Sequence, residues 1–148
     1  MSERNPVKLF VSHAWEDDAD YHRVFEYLES TANFYYLNLS NPEQRPPGDE
    51  EACKEVMRAQ IRDAEAVILL TSMYDTHRRW IDFQMHAAKA FDKPIIAMEP
   101  FGGVIKTPED ICELADEVVE WNERSMVDAI LRQARHEDTQ RWEVIDFP

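Results

Sequence analysis

At 148 residues the chain is about one domain long, and a 44% hydrophobic content is enough to fill a core. Three glycines and the lack of any low-complexity tract argue against disorder, and no apolar run nears the roughly 18 residues of a membrane span. The net charge of −14, from 16 basic and 30 acidic residues, argues against a nucleic-acid or anionic-membrane binder, because the densest basic cluster is Arg78-Arg79.

The start, Met1-Ser2-Glu3-Arg4-Asn5, lacks the apolar core of a signal peptide. Val7-Lys8-Leu9-Phe10-Val11-Ser12 is a short apolar run ending in a polar turn, and predicts a buried strand. Over residues 20–32, Tyr21, Val24, Phe25 and Leu28 recur at the spacing of an amphipathic helix, with Asp17, Asp18 or Asp20 available to cap it. Phe34-Tyr35-Tyr36-Leu37-Asn38-Leu39 is aromatic-rich and reads as the second strand. Residues 40–50 hold Pro42, Pro46, Pro47 and Gly48, so they form a loop, long enough to suggest a function.

A helix is predicted over 51–63, with Ala52, Val56, Ala59 and Gln60 near one face. Ala66-Val67-Ile68-Leu69-Leu70-Thr71 is a third, fully buried strand, and Pro94-Ile95-Ile96-Ala97-Met98 a fourth. Between them lies a helix over about 80–91, on which Trp80 and Gln84 sit four residues apart and share a face. Phe101-Gly102-Gly103 is a turn, and Thr107-Pro108-Glu109-Asp110 starts a helix with proline at its first position. Residues 116–121 form a short fifth strand at an edge, and Asn122 caps a last helix to about His136. The tail holds Trp142, Val144, Ile145 and Phe147, so it is expected to pack back on a single domain whose core spans about 7–136.

Strands alternating with helices imply an α/β, flavodoxin-like fold: a parallel five-stranded sheet of order 2-1-3-4-5 with helices on both faces. In such sheets ligands bind beyond the carboxyl ends of the strands, at the switch point between strands one and three. Ser12, His13, Ala14 and Trp15 follow strand one there, and Thr71, Ser72, Met73 and Tyr74 follow strand three. The loop after strand two lies beside them, and Trp80 and Gln84 come from the next helix. A cleft with these aromatic, hydroxyl, imidazole and amide groups suits a nucleotide or nicotinamide ring. Two readings stay open for single residues: His13 caps a turn or faces a ligand, and Trp80 is core or pocket wall. His22, His77 and His86 read as surface residues.

Other activities of this sheet lack their residues. A phospho-acceptor domain needs an Asp ending strand three, where this chain has Leu70-Thr71-Ser72. His13-Ala14-Trp15-Glu16-Asp17 is acidic and glycine-free, unlike a flavin phosphate loop. The Gly-rich dinucleotide fingerprint, the P-loop and the G-x-S-x-G elbow are absent. Cys53 and Cys112 show no metal spacing, and two reduced thiols in a cytoplasmic protein are expected.

In order along the chain stand Phe10-Val11-Ser12-His13-Ala14 with Trp15-Glu16-Asp17, then Ile61-Arg62-Asp63-Ala64, then Ser72, Arg79-Trp80 and Gln84. This set resembles the TIR-like domains of bacterial antiphage defence, especially the TIR-like subunit of Thoeris. Arg45-Pro46-Pro47-Gly48 is similar to the Pro-Gly loop of many such domains. The resemblance spans roughly residues 7–100. It implies an enzyme of the NAD glycohydrolase or ADP-ribosyl cyclase type, with NAD as substrate and no further cofactor or metal. Its product would be a cyclic or conjugated ADP-ribose signal that diffuses to a separate effector, and the enzyme would self-associate when activated.

Carried onto this sequence, the resemblance puts Gln84 and His13 at the catalytic positions. Ser12, Ala14, Trp15, Ser40, Arg45, Ser72 and Trp80 would surround the substrate. The family carries a catalytic Glu where this chain has Gln84, and an amide has no charge and cannot act as a base. The resemblance therefore implies a chain that is inactive or trapped with ligand. Three accounts of the amide stand open: a natural non-catalytic binder, an enzyme using another carboxylate such as Asp82 or Asp17, or a Glu→Gln change. The alternative to an enzyme is a TIR-like module that senses a nucleotide or scaffolds partners.

Overall fold

The computed structural model describes residues 1–102 and 106–137. Five parallel strands, β1 (Val7–Val11), β2 (Tyr36–Asn38), β3 (Ala66–Leu70), β4 (Ile95–Met98) and β5 (Glu117–Val119), form one sheet of order β2-β1-β3-β4-β5. The predicted order holds. β3 is buried along its whole length, as a central parallel strand covered on both faces must be. The edge strands β2 and β5 have three residues each and are partly exposed, which limits the open ladder they offer. Leu9 pairs with Ala66 and Val11 with Ile68, so β3 runs two residues beyond the end of β1, to Leu70.

Helices α1 (Ala19–Glu29), α2 (Glu50–Asp63), α3 (Arg78–Ala90), α4 (Glu109–Leu114) and α5 (Glu123–Arg135) connect and follow the strands. α1 packs beside α5, and α2 beside α3. Of the three candidate caps for α1 the chain uses Asp18, whose side chain accepts from the N–H groups of Asp20 and Tyr21. Asn122 caps α5 as expected, accepting from the N–H of Ser125.

Three local expectations need correction. β2 is only three residues long, because its ladder reaches no further than Val7–Leu9 of β1; Phe34, expected in the strand, is buried ahead of it. The buried face of α2 is Cys53, Met57 and Ile61, one position on from the expected stripe. Small Ala52 and Ala59 mark no preference by size, whereas Met57 and Ile61 have the volume to fill the space over the sheet. Pro108 occupies the cap position of α4 rather than its first turn. The expected packing of the C-terminal tail falls on residues 138–148, outside those described.

Candidate functional site

At the carboxyl end of β1 the chain stays buried: Ser12 and His13 are 0% and 1% exposed, and Ala14 is buried with them. Ser12 closes the switch point. Its Oγ accepts from the N–H of Leu70 at 2.8 Å, while its own N–H donates to the carbonyl of Ile68 at 2.9 Å. The hydroxyl is thereby a structural link between β1 and β3.

His13 follows with its ring among Phe10, Trp15 and Tyr21, at centroid distances of 5.7, 4.6 and 6.3 Å. Burial without a counter-charge lowers its pKa to about 4, so the imidazole is neutral at pH 7. Its Nδ1 accepts from the N–H of Trp15 at 3.4 Å, which places the proton on Nε2. Nε2 has no partner among the described residues, and neither have the indole Nε1 of Trp15 and the hydroxyl of Thr71. Buried polar atoms are almost always satisfied. Three orphans on segments that meet at one corner are therefore informative.

Trp15 takes a left-handed backbone, φ 64°. Its ring meets Trp80 edge to face at 6.4 Å. The long loop after β2 reaches the same wall: the Arg45 guanidinium lies 5.8 Å from the Trp80 ring. Beside Trp15 opens a cavity of about 320 Å³, lined by Trp15, Tyr21, His22, Pro42 and the carboxylates Glu16, Asp17, Asp18 and Glu43. Across it Asp17 pairs with the His22 imidazole at 2.6 Å. A larger cavity, about 430 Å³ and lined by residues such as Glu65, Lys93 and Asp116, lies at the opposite, amino ends of β3 to β5. It is the weaker candidate, because in open α/β sheets the helix N-termini and crossover loops converge at the carboxyl ends.

The sequence-predicted residues do not all meet. Trp15, Trp80 and Arg45 do. Ser40 is buried just behind them, its hydroxyl 2.7 Å from the Tyr21 Oη and also bonded to Asn38. Ser72 turns away: its hydroxyl donates to Asp20 at 2.6 Å, in a group completed by Arg23. Gln84 is 0% exposed and is not among the residues lining the cavity. Its amide engages the backbone of His13 instead. Asp82, the other carboxylate considered, lies on α3 near Arg78, whereas Asp17 faces the cavity. His22 and His86 are exposed as expected. Sequence reasoning missed Tyr21, Asp18 and Glu43 as cavity residues. Tyr21 read only as part of an apolar stripe, and its hydroxyl was the available signal. Among the described residues no group of three or more His, Cys, Asp or Glu side chains could hold a metal, and no helix is long and apolar enough to cross a membrane.

This sheet order, with aromatic and hydroxyl groups gathered at the ends of β1 and β3, defines a flavodoxin-like α/β domain. The model of the family described as Thoeris protein ThsB, TIR-like domain, matches residues 10–103, well over half of the chain. The chain belongs to this family, which places it in Thoeris antiphage defence. No curated protein matches it significantly. A solved structure of a 3-dehydroquinate dehydratase-like protein from Bifidobacterium longum is similar over 92% of this chain and 98% of its own, at 12% identity and a TM-score of 0.47. At that score the likeness carries no weight for function.

Proposed function

We propose that this chain binds NAD at the carboxyl ends of β1 and β2 and cleaves its nicotinamide–ribose bond. The ADP-ribose-derived product, cyclic or conjugated, then signals to a separate Thoeris effector. The observation that carries this reading is the corner itself: unpartnered buried donors at His13, Trp15 and Thr71 follow β1 and β3, and Trp15 among them lines a cavity walled by aromatic rings and carboxylates. Trp15 and Trp80 supply ring faces and edges for a base. Arg45 brings positive charge from the loop toward the pyrophosphate, while Ser40 holds Tyr21 in the cavity wall. Ser12 ties β1 to β3, Ala14 is buried two residues on, and Ser72 orders the segment after β3 through Asp20.

Cleavage builds positive charge on the ribose, and a carboxylate beside it stabilises that state. In this chain the carboxylates at the cavity are Glu16, Asp17, Asp18 and Glu43. We assign the role to Asp17, which His22 orients. Neutral His13 acts as a hydrogen-bond donor through Nε2 and not as a proton carrier at pH 7.

The test is nicotinamide release from NAD, followed by chromatography, with the chain and its Asp17→Asn variant side by side. The variant should lose on the order of a hundredfold in rate. A second reading has its own support. The neutral amide of Gln84, locked into the fold, fits a domain that binds the nucleotide without turning it over. Calorimetric binding of NAD or ADP-ribose with no nicotinamide release selects that sensor. Binding of neither ligand refutes both readings.

Self-association on activation completes the proposal, for a single-domain cytoplasmic protein. The loop over residues 40–50 is stiffened by Pro46-Pro47, which lowers the entropy cost of docking. The charge of −14 opposes close packing at low salt. Sedimentation should show larger species as salt rises and NAD is added, and Arg45→Ala should weaken them. A strict monomer whose turnover is independent of protein concentration and unchanged by Arg45→Ala refutes this part.

A further inference from the structure

Gln84 lies within α3, with no exposed surface. Its carboxamide meets both backbone polar groups of one residue, His13, and so spans two successive peptides. Oε1 accepts from the His13 N–H at 3.3 Å, and Nε2 donates to the His13 carbonyl at 2.6 Å. Nε2 also lies 3.6 Å from the Met57 sulfur of α2. A carboxamide offers a donor and an acceptor side by side, and no charge that burial would penalise.

The segment so held is unusual. Two residues beyond His13, Trp15 adopts φ 64°, which a bulky side chain rarely does unless its surroundings over-determine it. Two contacts can do so here: the Trp15 N–H on His13 Nδ1, and the Gln84 grip on the His13 backbone. The ring thereby placed meets Trp80, one turn before Gln84 on the same helix. One helix thus carries both the aromatic wall and the pin that sets its partner.

We infer that Gln84 is a positioning residue: through the His13 backbone it holds Trp15 against Trp80, and this role needs a neutral group that both donates and accepts. A carboxylate there would face the His13 carbonyl with no proton to give, and a protonated acid would regain the donor. The consequence for NAD rests on the function proposed above; the grip on His13 does not. Of the groups bonded to the amide, Met57 from α2 does not titrate. His13, from the β1–α1 segment, remains neutral down to about pH 4.

The experiment compares Gln84→Glu and Gln84→Met with the native chain between about pH 8 and about pH 5. Both variants should melt well below the native chain at the higher pH. The Gln84→Glu deficit should close on acidification, as the buried acid takes up its proton, while the Gln84→Met deficit stays constant. The near-ultraviolet circular dichroism of the indole pair, identified with a Trp80→Phe control, should be lost in Gln84→Glu at the higher pH and return at the lower. NAD affinity, where the native chain has it, should fall about tenfold or more and recover likewise.

A pH-independent deficit, native stability of Gln84→Glu at the higher pH, or its failure to fold at the lower overturns the inference. Altered melting with unchanged indole signal and NAD affinity reduces Gln84 to a stabilising residue only. Native protein that binds no NAD but shows the melting and indole effects refutes the functional reading and leaves the positioning role standing.

Discussion

Acidification from pH 7 to about pH 4 should cost the fold about 3 kcal/mol through His13 alone. The ring is buried among Phe10, Trp15 and Tyr21, with no carboxylate bonded to it among the described residues. Burial lowers its pKa to about 4, against 6.5 unfolded. The sign follows. Above about pH 6.5 both states hold the neutral ring and the stability is fully present. Between 6.5 and 4 the unfolded chain takes up a proton that the folded chain refuses, so stability falls with pH. Below about 4 both states are protonated and this loss stops growing.

Glu65 and Glu117 act in a lower window. Burial pushes Glu65 up, but the Arg135 guanidinium and the Lys8 N–H outweigh it, and Arg132 draws Glu117 down. Their contributions fade only as pH drops through and below 4.5. Urea titrations in steps between pH 7 and pH 4.5 therefore isolate His13. His13→Gln should flatten the dependence, and equal slopes in the two proteins would disprove the assignment. Because the same ring carries the unpartnered Nε2, a ligand that accepts from it should also oppose acid unfolding.

Phe10→Ala should be the most damaging single truncation near the site, at about 3–5 kcal/mol. Phe10 has no exposed surface, stands on β1 between β2 and β3, and its ring lies 5.7 Å from His13. Removing it deletes transfer free energy and leaves a void that a sheet pinned at Ser12 and Leu70 cannot collapse to fill. Domains of this size are stable by about 5–15 kcal/mol, so the variant should be partly unfolded or sharply shifted in urea midpoint. Leu37→Ala on edge strand β2, where the side chain is 48% exposed, is the matched control and should stay within about 0.5 kcal/mol. Equal shifts in the two variants would mean that the core around β1 is not close-packed.

The sheet was legible in the sequence for a simple reason. Strands buried on both faces must be continuous apolar runs, and residues 66–70 and 95–98 are such runs, separated by a helical period. Alternation of strand and helix then limits the topology, because parallel crossovers are right-handed. The caps were legible too, since Asp18 and Asn122 act on N–H groups two or three residues away. The gathering of the segments after β1 and β3 at one end of the sheet was legible on the same grounds.

What a one-dimensional pattern could not decide was direction. Trp80 and Gln84 share a helical face, yet only packing of α3 on α2 and on the β1–α1 segment sends Gln84 inward to His13 while Trp80 remains part-exposed at the wall. The stripe on α2 was misplaced by one residue because alanines fit either side, and the volume to be filled is set by the sheet beneath. Ser72 read as a site hydroxyl, but its hydrogen bond goes to Asp20, fifty-two positions away in sequence. Such partners are fixed by long-range geometry, and so is the depressed pKa of His13, which comes from the burial that the folded sheet and helices impose on its ring.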